Sequence, residues 1–180
     1  MTPDWYTLSH EEDVASPALL LFKERIARNL QRMLDIAGGP ARLRPHVKTH
    51  KLAPLVRWQI DLGITKFKVA TIAEAEMCAQ AGAADVLLAY PAAGPNITRL
   101  CELASRYPAT RFSALVDSAP SIRGLSIAAR AENITFPVLL DLDCGMHRTG
   151  IAPGPDAISL YRLIAERRHE TRRHARSPSS

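Results

Sequence analysis

Arg44-Pro45-His46-Val47-Lys48-Thr49-His50-Lys51 reads as the end of a β-strand that carries charge where a strand would ordinarily carry Val or Ile. Side chains alternate faces along a strand, so Arg44, His46, Lys48 and His50 share one side and Pro45, Val47 and Thr49 the other. Lys and Arg are seldom buried without partners, so such a face opens either to bulk water or to a polar cavity with an anionic occupant. The flanking sequence favours the cavity. An ammonium crowded by other cations is disfavoured relative to its neutral form, which makes the nitrogen a nucleophile near neutral pH. Lys48 is therefore a candidate Schiff-base lysine, and the plainer alternative is a solvated basic strand end.

Outward from this stretch, one unit recurs. Ser16-Pro17 precedes a short apolar strand expected at 18–22, and residues 24–37 carry apolar side chains at helical spacing until Gly38-Gly39-Pro40 stops them. The strand at 42–49 is followed by a helix at 52–62. A strand at 66–70 leads to a helix at 72–81, capped by Thr71 and closed by Gly82. Strands at 85–90, 111–116 and 136–144 follow, with helices at 95–106, 119–131 and 156–166 and a loop at 145–155. Counted from the 42–49 strand, five strand-then-helix units with short connections and strands apolar on both faces argue for a parallel sheet covered by helices.

An open doubly wound sheet and a barrel both satisfy that pattern. No Gly-x-Gly-x-x-Gly turn or P-loop follows a strand, which counts against the open sheet. The candidate chemical residues instead follow successive strand ends: Lys48, Thr71, Tyr90, Asp117, then His147 and Arg148. That distribution suits a (β/α)8 barrel, of which this chain would supply about five units.

Composition limits the partners. The 180 residues are 47% hydrophobic, enough for one ordinary core. The net charge of +5 arises from 23 basic and 18 acidic residues. Residues 167–180 hold five Arg and one acid, Glu170, so the remainder carries 18 basic to 17 acidic groups and no footprint for nucleic acid. The three cysteines, Cys78, Cys101 and Cys144, are odd in number and far apart, as reduced thiols are. Nothing resembles a zinc knuckle, a secretion signal or a membrane span, and a cytoplasmic protein is expected.

The fifth strand has its own unusual face, with Asp141, Asp143 and His147 on one side and Val138, Leu140, Leu142 and Cys144 on the other. Two carboxylates inside a barrel need cations, and the 42–49 strand supplies them, so both faces are expected to point at one interior. Alternatively the Asp residues brace the loop by accepting backbone N–H bonds, and His46 and His50 are hydrogen-bonded supports.

Leu43-Arg-Pro-His-Val-Lys48-Thr-His-Lys51 closely resembles the cofactor-lysine motif of the D-threonine aldolase and D-serine dehydratase family, fold-type III pyridoxal-phosphate enzymes related to the alanine racemase N-terminal barrel. Lys68-Val-Ala-Thr-Ile-Ala-Glu-Ala-Glu76 resembles that family's second-strand segment, and Asp143-Cys-Gly-Met-His-Arg148-Thr-Gly150 its fifth-strand loop. The matches run in register across roughly residues 16–166. The resemblance implies α/β architecture, a partial (β/α)8 TIM barrel of the alanine racemase N-terminal type. It implies pyridoxal 5'-phosphate as cofactor, with Lys48 joined to its aldehyde, Arg148 near its phenolic oxygen, and His147 and Thr71 as further cofactor contacts.

The implied reaction is lysis of a D-3-hydroxy amino acid, by aldol cleavage or by dehydration. A racemase-like or cofactor-carrying barrel, or a non-catalytic remnant, are the alternatives. In the full-length family the resemblance further implies a divalent metal, whose ligands lie in a later β-rich part absent from this sequence, and a homodimer. The expected partition is a partial cofactor-binding barrel at 1–166 and a basic disordered tail at 167–180, read as a shifted frame.

Overall fold

The computed structural model describes residues 6–174. Helix α1 (Lys23–Ala37) comes first, buries Leu30, and ends on Gly38, whose φ of +71° is the left-handed conformation that closes the helix. Helix α2 is Ala53–Asp61. Then follow β1 (Lys66–Val69), α3 (Ile72–Gln80), β2 (Asp85–Leu88), α4 (Pro95–Arg106), β3 (Arg111–Val116), α5 (Ala119–Ala131), β4 (Val138–Leu140) and α6 (Pro155–His174). The strands form one parallel sheet in the order β1-β2-β3-β4. Sequential parallel order with a helix in each crossover is the curl of a (β/α) barrel rather than the reversed order of a doubly wound sheet.

The core lies between the sheet and its helices. Phe67 and Val69 of β1, Val86 and Leu88 of β2, and Phe112, Ala114 and Val116 of β3 are buried there against Val56, Ala75, Cys78, Leu100 and Leu125. The alternate residues, Lys66, Lys68, Asp85, Leu87 and Leu115, are only partly covered. They line the inner face of the arc.

Four expected boundaries are corrected. Among the described residues the apolar run at 18–22 pairs with no strand, and Leu19, Leu20 and Leu21 are exposed, because an extended apolar segment becomes a strand only when a neighbour takes its hydrogen bonds. The strand expected at 42–49 contracts to a single parallel bridge, His46 with Lys68, where the Lys68 amide donates to the Pro45 carbonyl at 2.8 Å. Short 3-10 turns at Pro40–Arg42 and Val47–Thr49 flank it, since Pro40 and Pro45 lack the N–H that a longer ladder needs. The strand expected at 136–144 narrows to β4, with Leu142 bridging Ile151. The helix expected to close at 166 is α6, which continues to His174; the remainder of the expected tail, 175–180, lies outside the described residues. Among the described residues no helix is long and apolar enough to cross a membrane.

Candidate functional site

Lys48 sits on the turn Val47–Thr49, just past the bridge and toward the carboxyl end of the sheet. Val47 is fully buried and pins the turn, while Lys48 is exposed. Two imidazoles stitch the backbone around it. The Lys48 amide donates to His46 Nδ1 at 3.3 Å, and the Leu52 amide, at the start of α2, donates to His50 Nδ1 at 3.1 Å. Accepting at Nδ1 requires neutral rings with the proton on Nε2.

Electrostatics holds them neutral. Burial, then the charges of Lys48 and Lys68, press the His46 pKa below its ordinary value despite the opposing pull of Glu74. Burial likewise lowers His50 against the opposing Glu74 charge. His50 Nε2 is buried without a hydrogen-bond partner.

The expected single cationic face does not form as drawn, because the turn breaks the alternation. Arg44 points to the amino end, where its Nη1 meets Asp85 Oδ1 at 2.6 Å and the Phe67 carbonyl at 3.3 Å. Arg111 meets the other Asp85 oxygen at 3.0 Å. Burial pushes the Asp85 carboxyl up, but the bonds and charges of Arg44 and then Arg111 outweigh it and hold its pKa below the usual range. This clamp ties the Lys48 segment to β2 and β3 from the end opposite the lysine.

Thr71 caps α3: its Oγ1 accepts from the Glu74 amide at 3.1 Å. Glu74 reaches back, Oε2 accepting from the Ala70 amide at 2.8 Å and Oε1 lying 3.7 Å from Lys51 Nζ. It is 4% exposed and supplies the negative charge beside both imidazoles. Sequence reasoning missed Glu74 as a site residue, although Thr71-x-x-Glu74 is a capping-box spacing that flags it.

On the far side of the sheet, the loop after β4 is built on Asp143. Its Oδ1 accepts from the Gly145 and His147 amides at 2.9 Å each, and Oδ2 lies 2.8 Å from His147 Nδ1. These backbone donors, His147 first, hold the Asp143 carboxyl below its ordinary pKa. Asp143 and His147 therefore meet through a tight turn, with His147 at φ +54°, and not by strand alternation. Asp117, expected among the chemical residues that follow strand ends, accepts from the Gly150 amide at 3.2 Å and so braces this loop. Gly150 has φ +93°, and a Cβ there would stand 2.8 Å from the Asp143 nitrogen, so only glycine lets the returning chain pass. Arg148 is exposed on this loop.

Lys48, Thr71, His147 and Arg148 thus all follow carboxyl ends of strands or the bridge, on one rim of the arc. Away from this rim, a groove of about 790 Å³ between α5 and α6 is lined by Leu125, Phe136, Val138, Tyr161 and Ile164. Among the described residues, the one cluster with metal-ligand spacing is the exposed His10, Glu12 and Asp13, far along the chain from this rim.

The family model for the alanine racemase N-terminal domain matches residues 23–173. D-threo-3-hydroxyaspartate dehydratase of Delftia sp. (strain HT23) is 31% identical over 158 residues, which are 86% of this chain and 40% of the relative. D-threonine aldolase of Arthrobacter sp. is 28% identical over 77% of this chain and 36% of the relative. Among solved structures, D-threonine aldolase from Filomicrobium marinum superposes with a TM-score of 0.78 at 35% identity, covering 86% of this chain and 42% of that one. An alanine racemase-like protein from Idiomarina loihiensis, 24% identical with a TM-score of 0.75, repeats the fold. The chain spans about 40% of the length of the curated relatives it matches.

Proposed function

Because the chain belongs to the alanine racemase N-terminal domain family, we propose that it carries the lysine half of a pyridoxal-phosphate lyase site for D-3-hydroxy amino acids, with Lys48 as the amine that takes the cofactor aldehyde. The observation that carries the reading is the setting of Lys48: an exposed amine on a pinned turn at the carboxyl rim, between imidazoles kept neutral. Its Nζ makes no ion pair among the described residues, so no carboxylate has to be displaced before it reacts. The donor set fits the aldehyde end of the cofactor, and the orphaned His50 Nε2 beside the turn is a donor awaiting an acceptor. Bound there, pyridoxal phosphate supplies an electron sink for breaking a bond at the substrate α-carbon.

The chain's own residues do the rest. His46 and His50 hold the Lys48 backbone in its turn, and the Arg44–Asp85–Arg111 clamp fixes the segment from below. Asp143 shapes the loop that presents His147 and Arg148; Arg148 is assigned to the cofactor's phenolic oxygen and His147 to a contact beside it. Thr71 is assigned a cofactor contact through its hydroxyl hydrogen, because its oxygen already caps α3. Relatives named for D-threonine and for 3-hydroxyaspartate leave two substrate side chains open, a methyl and a carboxylate. A cytoplasmic setting and a divalent metal held by residues other than these complete the reading.

The test is incubation of the purified chain with pyridoxal phosphate, a D-3-hydroxy amino acid and a divalent metal. Glycine released with an aldehyde marks aldol cleavage and ammonia released with a 2-oxo acid marks dehydration, either one lost in Lys48→Ala. Cofactor capture that persists unchanged in Lys48→Ala would sink the reading.

A further inference from the structure

The inner face of β1 holds a cation that the proposed chemistry does not use. Phe67 and Val69 are fully buried toward the helices, so Lys66 and Lys68 project to the opposite, inner side. Lys66 is accounted for, its Nζ donating to the Ala41 carbonyl at 2.8 Å. Lys68 is half-buried and makes no ion pair among the described residues. Its neighbours across the sheet are Leu87 and then Ser113, neither charged, and on its other side is His46.

Two acids beside this segment are already engaged. Asp85 stands one rung nearer the amino end, held by Arg44 and Arg111. Glu74 is occupied by the Ala70 amide and Lys51. His46 registers the result, since the charges of Lys48 and Lys68 both act on its ring to disfavour a third positive charge. Two ammonium groups around one neutral imidazole, one of them, Lys68, partly withdrawn from water, call for an anionic ligand.

Building on the Lys48 assignment above, we infer that Lys68 receives the side-chain carboxylate of the substrate, so that the site selects a dicarboxylic 3-hydroxy amino acid over one ending in a methyl group. A carboxylate suits this place better than the cofactor's phosphate. Phosphates are held by open helix N-termini, whereas the adjoining N-terminus of α3 is closed by Thr71 and by the Glu74 carboxylate, which repels a dianion. A single carboxylate, met by one flexible ammonium, needs no such cradle.

The test uses the full chain without added cofactor, so it is independent of capture at Lys48. Malate, 3-hydroxybutyrate and inorganic phosphate are titrated in turn, with the His46 ring resonances as the readout. The expected result is malate binding about tenfold tighter than 3-hydroxybutyrate, equivalent to about 1.4 kcal/mol. Lys68→Met should erase that preference and Lys68→Arg should retain it. Equal binding of the two acids, a preference that survives in Lys68→Met, or phosphate binding that outcompetes malate would each overturn the inference. If the Met variant fails to fold, the Arg variant still decides, because loss of the preference with the positive charge kept contradicts the assignment. Capture of pyridoxal phosphate on Lys48 without a dicarboxylate preference removes the subsite alone, and the preference without capture removes the Lys48 reading alone.

Discussion

At the scale of single residues, the neutrality of His46 and His50 makes stability depend on pH. Both have lowered pKa values in the folded chain, so below about pH 6.5, the ordinary imidazole value, the unfolded state binds more protons. Their contribution is complete above that pH and is lost as pH falls through the lowered values. The urea midpoint should therefore drop between pH 7.5 and 5.5. His50→Asn should flatten the drop while still offering an oxygen to the Leu52 amide. A midpoint that rises on acidification would contradict the assignment. Gly150 makes a second residue-scale case: Gly150→Ala forces a side chain at φ +93° into the Asp143 backbone and should cost about 1–3 kcal/mol by denaturation. An unchanged midpoint would mean the loop passes elsewhere.

At the scale of elements, the cap on α3 and the loop after β4 are the devices that shape the rim. Thr71→Ala removes the acceptor for the Glu74 amide and should cost about 1 kcal/mol, read as a lower unfolding midpoint. Asp143→Ala releases two backbone N–H groups, so amide exchange at Gly145 and His147 should quicken while exchange in β1 to β3 stays slow. Slow exchange throughout would show that something other than the carboxylate holds the loop.

Legibility in the sequence also divides by element. Helices α4 and α5 begin and end where periodicity and a proline in the first turn place them. β3 spans the expected residues because both its ends meet helix-bound turns. The 42–49 segment misled because alternation presumes a strand, whereas Pro45 and the His46 side chain, which takes the Lys48 amide, convert it to a turn. Residues 18–22 misled because apolar character says nothing about whether a partner strand lies alongside. Thr71 as a cap was readable from its spacing, and so, through Glu74, was the acid beside the imidazoles. Asp117 was readable as a candidate from its place after a strand, but its bond to Gly150 was not, and Lys68 was not readable as a site residue, since that bond and that register are made across the sheet.

At the scale of the whole molecule, one buried layer between sheet and helices supports the rim to which the proposed chemistry is assigned. Phe67 is fully buried at its centre, so Phe67→Ala should cost about 3–5 kcal/mol, enough to unfold a marginal domain. A small shift in the denaturation midpoint would mean that this layer is not the core. Borohydride reduction of the chain with pyridoxal phosphate, followed by peptide mapping, tests the rim's chemistry most directly. The account expects the pyridoxyl group on Lys48, with little on the neighbouring Lys51 and Lys68. A label spread over exposed lysines in proportion to their accessibility, or absent from Lys48, would contradict it.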